Sequence, residues 1–286
     1  MNKIYITSLS FLVIFLLLTP PVNAAKPSAG GGGTTTQLGI DVSYPQCGKT
    51  LPSSFAFAVV GINGGNAANT NPCLANQLIW ANKASGNILS QPKIQLYVNT
   101  ANPGEVINIA KAWPTSNSDR TGFVPNNPYG DSCSGGNDLA CSWQYGWDRA
   151  LEAVVDRFIP AAIVAKIDTL PSKYIWWLDV ETMNTWQSGS ADALKRNVAS
   201  LEGIKSYYQS LNAEVGIYST AVQWKEITGN YINIQSNLNG LKNWRPGGAS
   251  LNTAKQACTA TPLTANGKVV MTQFISKNLD YNYSCI

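Results

Sequence analysis

The 286-residue chain contains no histidine. That absence removes Ser-His-Asp and Cys-His nucleophilic arrangements and nearly every zinc-hydrolase ligand set, leaving acid–base work to Asp, Glu, Tyr or Lys. Charge is scarce too: Asp, Glu, Lys and Arg make up 13% of the residues, the net charge is +4, and no basic cluster occurs. Nucleic-acid binding therefore has no electrostatic footprint, although the small positive balance leans weakly toward an anionic polymer. Gly30–Gly33 and Asn63-Gly64-Gly65 complete neither a dinucleotide fingerprint nor a phosphate loop, so no cofactor is expected. No Cys-x-x-Cys pair of the zinc-binding kind is present, and no cysteine precedes Cys47, which argues against a lipoprotein anchor.

The first residues have the layout of a secretory signal. Lys3 supplies a positive start, Ile4 to Leu18 is mostly apolar, Pro20-Pro21 breaks any helix, and Val22-Asn23-Ala24-Ala25 offers small residues for cleavage. Residues 1–25 are therefore expected to be a signal peptide. The alternative, an uncleaved anchor, would have to work with less than the ~20 apolar residues of a spanning helix. Residues 26–36, rich in Gly and Thr, read as a flexible linker, and residues 37–286 as a single folded domain. The expected destination is extracellular or cell-wall associated, with no membrane attachment after cleavage and a monomeric state. An even set of six cysteines in an exported chain favours disulfides. Order and spacing favour Cys47–Cys73, Cys133–Cys141 and Cys258–Cys285.

Short runs rich in β-branched and aromatic residues alternate with helical periodicity. Strands are expected at Leu38–Ser43, Ala56–Asn63, Lys93–Asn99, Tyr174–Val180, Glu214–Ser219, Leu241–Trp244 and Val269–Phe274. Helices are expected at Leu74–Ser85, Glu105–Trp113, Trp143–Ile167, Ala191–Leu211 and Leu251–Cys258. Near-continuous apolar strands such as Phe57-Ala-Val-Val-Gly-Ile62 suit a sheet covered on both faces. The expected fold is an α/β protein, a TIM-like (β/α) barrel that could be incomplete. Pro114–Cys141, dense in Asn, Ser, Gly and Pro, reads as a surface insertion closed by Cys133–Cys141.

With histidine excluded, carboxylates carry the expected chemistry. In Trp176-Trp-Leu-Asp179-Val-Glu181 the two acids sit two apart on a strand, so they share a face about 6.6 Å apart while Val180 points away. Following an apolar run, they should lie at the strand's carboxyl end, where barrel active sites are built. Crowding should raise one pKa and leave a protonated acid near neutral pH. A solvated acid pair at a loop start is the competing explanation. Leu38-Gly-Ile-Asp41-Val-Ser43 ends another apolar strand in an acid, and Asn278-Leu-Asp280-Tyr-Asn282 places one just after the last expected strand. Closure of a barrel would bring Asp41 and Asp280 to one rim.

Gly-Ile-Asp-Val-Ser, Leu-Asp-Val-Glu, Gly-Ile-Tyr-Ser at 216–219 and the terminal Thr-Gln-Phe with Leu-Asp-Tyr-Asn resemble, in the same order, strand-end motifs of glycoside hydrolase family 25. The resemblance implies an α/β barrel of the secreted muramidase type, acting on the O-glycosidic bonds of a cell-wall polysaccharide containing N-acetylated amino sugars. By resemblance Glu181 would protonate the leaving oxygen. Asp179 would assist the other side, directly or by orienting the acetamido group, and Asp41 and Asp280 would tune pKa values and hold the sugar. The chain departs from the family at Gly61-Ile-Asn63-Gly64-Gly65, where members carry an acid, and at Tyr97-Val-Asn99-Thr100, where they carry a histidine.

Nine tryptophans are many for a chain of this length, and sugars stack on aromatic faces. Trp186 is the first candidate platform, and Tyr44, Tyr218, Trp224 and Trp244 are weaker ones. Core packing is the competing explanation for each, and the favoured one for Trp176, Trp177 and Trp244. Asn63, Asn99 and Gln273 carry amides able to hold sugar hydroxyls, with loop capping as the alternative for the two asparagines. Asp148 and Glu152 read as a solvated helix face. Two other function classes fit the sequence: a non-catalytic carbohydrate- or wall-binding module, and a structural envelope protein.

Overall fold

A computed structural model describes residues 37–104, 112–130 and 133–286. The expected signal peptide, the linker and most of the expected Glu105–Trp113 helix lie outside the described residues. Eight strands close into a barrel in sequence order. They are β1 (Gly39–Val42), β2 (Ala58–Gly61), β3 (Ile94–Asn99), β4 (Ile175–Asp179), β5 (Glu214–Tyr218), β6 (Lys242–Gly248), β7 (Lys268–Ser276) and β8 (Leu279–Ser284). The first seven run parallel, and β8 runs antiparallel to both β7 and β1. Helices α1 (Leu74–Ala81), α2 (Leu139–Glu152), α3 (Ile159–Ala165), α4 (Ala191–Ser210), α5 (Ala221–Thr228) and α6 (Leu251–Ala257) make the crossovers. The seven expected strands are present, and the barrel is closed rather than incomplete.

One α-helix and one strand were not anticipated. One is α5, short but capped at both ends, by Thr220 accepting from the Gln223 N–H and by Gly229 in the left-handed conformation. The other is β8. Lys277 and Asn278 both take positive φ (52° and 59°), so the chain reverses in a tight hairpin and re-enters the sheet. Asp280 therefore lies within a strand rather than after one.

Strand alternation divides the apolar residues between two cores. Ile40, Val60, Leu96, Trp176, Leu178 and Ile217 face outward into the helical layer. Phe57, Val59, Ile175, Trp177, Trp244 and Met271 plug the barrel interior. The plug carries its own polar lock, with Trp177 Nε1 donating to Gln95 Oε1 at 2.7 Å and Gln95 Nε2 donating to Gln91 Oε1 at 3.0 Å. Trp177 fits because its neighbour on β5 is Gly216, where an added Cβ would lie 2.3 Å from the indole.

The expected Trp143–Ile167 helix is α2, a π-helical turn over Ala153–Phe158, and α3. Its start moves back to Leu139, so the last residues of the Pro114–Cys141 insertion already form the first turn of α2. Asp148 and Glu152 are not a solvated face. Asp148 is pushed up to about 6 by burial, and Glu152 is paired with both Arg149 and Arg157. The disulfides are Cys47–Cys73, Cys133–Cys141 and Cys258–Cys285, as spacing suggested.

Helices α2 and α4 touch backbone to backbone. A Cβ on Gly146 would sit 1.9 Å from the Ser200 carbonyl oxygen, and one on Gly203 would sit 1.9 Å from the Trp143 carbonyl oxygen. Neither neighbour is a side chain that can swing away. Gly146→Ala and Gly203→Ala are each expected to destabilise the fold by about 1–3 kcal/mol, several degrees in the thermal midpoint, read by circular dichroism.

Candidate active site

Asp41, Asp179, Glu181 and Asp280 line one cavity of about 270 Å³ at the carboxyl ends of the strands. Tyr97, Tyr218, Trp244, Gln273 and Ile275 complete its wall, so the lining holds four carboxyl groups and no Lys or Arg. The register explains the convergence. Asp41 and Asp280 are directly opposed across the β1–β8 ladder, while Asn99, Asp179, Tyr218 and Trp244 are successive neighbours across β3, β4, β5 and β6.

Burial raises the pKa of all four acids. For Asp41 the charge of Asp280 adds to the effect, and for Asp179 the charges of Glu181 and Asp41 do. Opposing hydrogen bonds offset part of this. Asp41 accepts from Gln273 Nε2 at 3.1 and 3.2 Å and from Asn282 Nδ2 at 2.8 Å. Gln273 is itself held by the Tyr218 hydroxyl, which donates to its Oε1 at 2.8 Å. Asp179 Oδ2 accepts from Asn99 Nδ2 at 2.6 Å, while its Oδ1 is buried with no partner among the described residues. Glu181 is more open than Asp179, half-buried at the start of the β4–α4 loop, and is opposed chiefly by Gln223. Burial also raises the phenols of Tyr97 and Tyr218, which keeps them neutral donors.

The other anticipated residues fall differently. Trp186 is buried and presents no stacking face to the cavity; its indole N–H donates to the Glu181 carbonyl oxygen at 2.9 Å and holds the backbone of that acid. Asn63 is buried with its amide consumed internally, donating to the Ala67 carbonyl and accepting from the Asn99 N–H. Asn99 holds Asp179 rather than facing a sugar hydroxyl with a free amide. Tyr44 is 46% exposed and packs beside Gly65, outside the cavity lining. Trp224 is buried in the outer core. Trp244 belongs to the plug yet forms cavity wall, and its Nε1 is buried without a partner among the described residues. Sequence reasoning missed Asn282 and Gln223. Reading 279–284 as a strand would have found Asn282, two residues from Asp280 on the same face; nothing local marks Gln223.

A larger cavity of about 460 Å³ lies at the starts of α2 and α4. Its acids are already used, Asp138 capping α2 through the Cys141 N–H and Asp192 pairing with Lys195. The smaller, acid-lined cavity is therefore the site with reactive groups to spare.

A buried carboxyl with a raised pKa binds its proton more tightly in the folded chain, so folding is penalised as pH rises above the ordinary carboxylate range and not below it. Asp179→Asn keeps an oxygen for Asn99 and removes the charge. It is expected to match wild-type stability in acid and to exceed it by about 1–2 kcal/mol at pH 8, read as thermal midpoints across pH.

Residues 168–252 match a family model described as lysozyme-like protein 1. That stretch contains Asp179 and Glu181 but not Asp41 or Asp280. A probable GH family 25 lysozyme 4 from Dictyostelium discoideum is 46% identical over 55 residues, 19% of this chain and 24% of that protein. The chain thus spans about a quarter of the curated relative it matches. Among solved structures, a muramidase from Trichobolus zukalii superposes with a TM-score of 0.46 at 14% identity, covering 86% of this chain and 92% of the other. Over residues 168–252, which carry its two-acid strand end, the chain is thus similar to lysozyme-like proteins, and over 55 residues it is similar to a GH family 25 lysozyme.

Proposed function

We propose that the protein is a lysozyme-type glycoside hydrolase that cleaves O-glycosidic bonds of a cell-wall polymer containing N-acetylated amino sugars. The observation that carries this reading is the cavity with four carboxyl groups, no cation in its lining and a raised pKa for every acid. Acetal cleavage needs a proton for the leaving oxygen and negative charge beside the developing oxocarbenium ion. Glu181, more open than Asp179, supplies the proton. Asp41 and Asp280, which share charge across one ladder rung, stabilise the positive charge as it develops.

Two unpartnered polar atoms belong to residues of the cavity wall: the acceptor Asp179 Oδ1 and the donor Trp244 Nε1. Buried polar atoms are ordinarily paired, and an acetamido group offers the N–H and C=O that would satisfy both after a small shift of the wall, since both atoms are closed to solvent. Asp179 then orients the acetamido group on the side of the sugar opposite Glu181. Three disulfides suit an oxidising compartment, in keeping with residues 1–25 as a signal peptide and 26–36 as a tether. No helix among the described residues is long and apolar enough to cross a membrane.

Purified protein should release new reducing ends from cell walls or N-acetylated oligosaccharides, read by mass spectrometry, and Glu181→Gln should lower that rate at least about a hundredfold while the protein stays folded. Saturable glycan binding without new reducing ends would instead make the barrel a binding module. The rate should fall on the alkaline side as Glu181 loses its proton, with a midpoint above the ordinary carboxylate range. Trp244→Phe should raise KM for an N-acetylated substrate roughly fivefold to tenfold, the worth of one hydrogen bond, and leave KM for its de-N-acetylated counterpart unchanged.

A further inference from the structure

Asp179 is held by a chain of contacts that begins outside the barrel. Strand β2 leaves its ladder with β3 after Ile62, whose N–H donates to the Tyr97 carbonyl at 2.9 Å. The Asn63 side chain then supplies the next rung, its Oδ1 accepting from the Asn99 N–H at 3.0 Å. That bond fixes the residue whose Nδ2 donates to Asp179 Oδ2. Asn63 is fixed in turn by the loop that follows it, donating from Nδ2 to the Ala67 carbonyl at 3.1 Å and bridging to Thr70.

The loop is pinned by one buried cation. Arg157, 5% exposed, donates from one terminal nitrogen to the Ala68 carbonyl at 3.1 Å and from Nε to Thr70 Oγ1 at 3.3 Å, while Glu152 pairs with it. Arg157 lies in the π-helical turn between α2 and α3, an irregularity that changes the direction of a side chain and recurs at functional sites. A buried guanidinium needs both a counter-charge and acceptors, and here the acceptors are loop atoms flanking the Asn63 contact.

We propose that Arg157 and Asn63 are positioning residues: through the loop 63–70 and Asn99 they fix the Asp179 carboxyl in the cavity wall by keeping its Oδ2 on the Asn99 amide. The inference rests on the assignment of Asp179 to the reacting site. Asn63 and Asn99 are both amides, so the support of Asp179 is a relay that does not itself titrate. Neither Arg157 nor Asn63 touches Asp179.

The test uses Asn63→Ala and the milder Arg157→Lys, which keeps the charge opposite Glu152 but cannot reach both loop acceptors. Carboxyl ¹³C NMR titration of Asp179, assigned with Asp179→Asn, should show its midpoint moving upward in both variants as the Asn99 hydrogen bond loosens, and more in Asn99→Ala. On a cleaved glycan, kcat should fall about tenfold to a hundredfold with little change in KM. Folded variants in which the Asp179 midpoint and kcat match wild type would overturn the proposal, whatever happens to their melting temperature. The titration also reads on an inactive protein, so a wild type that cleaves nothing would sink the hydrolase assignment while the relay is still judged by the Asp179 midpoint.

Discussion

The rest of the structure is arranged around one electrostatic constraint, four carboxyl groups brought into a cavity whose lining offers no cation. Water would solvate them as anions, but the barrel mouth does not, and each is pushed toward its neutral form by burial, with like-charge neighbours adding to this for Asp41, Asp179 and Glu181. The surrounding chain spends its amides on containing that cost. Gln273 and Asn282 hold Asp41, Asn99 holds Asp179, and the Tyr218 hydroxyl orients Gln273. Donors that are neutral and uncharged at every ordinary pH keep the acids in place without pairing them off.

The barrel serves that arrangement in two layers. Below the acids, Trp177, Trp244, Phe57 and Met271 close the interior, so the polar groups meet an apolar floor that withholds water from one side. Outside, residues around the barrel reach inward at specific points: Trp186, in the loop before α4, grips the Glu181 carbonyl, and Arg157 pins the loop that carries Asn63. Where helices must come closest, at α2 and α4, glycine on each side lets backbone meet backbone.

Much of this was legible in the chain itself. Apolar runs ending in Asp41 and in Asp179-Val-Glu181 announced strands that deliver acids to one end, because side-chain alternation fixes which residues share a face. Seven strands and the disulfide pairs could be read from runs and spacing. β8 was not, because Leu279–Ser284 lacks an apolar run and depends on a two-residue reversal at Lys277-Asn278 for its existence. Trp186 misled because an aromatic near an acid carries no mark of whether its face or its N–H is used. Glu152 misled for a similar reason, since its partner Arg157 is brought to it by a π-helical turn that periodicity does not foresee.

By itself the sequence determined the kind of chemistry available. With no histidine and few charges, carboxylates became the leading candidates for proton work, and the two-residue spacing of Asp179 and Glu181 after a short apolar strand brought them to one end of it. Tertiary structure alone decided which acids meet and in what state. Asp41 and Asp280 are far apart in the chain and become opposed only through closure by an antiparallel last strand. Their ionisation, and the free Oδ1 of Asp179, follow from burial and from partners contributed by distant strands, quantities that exist only once the barrel is closed.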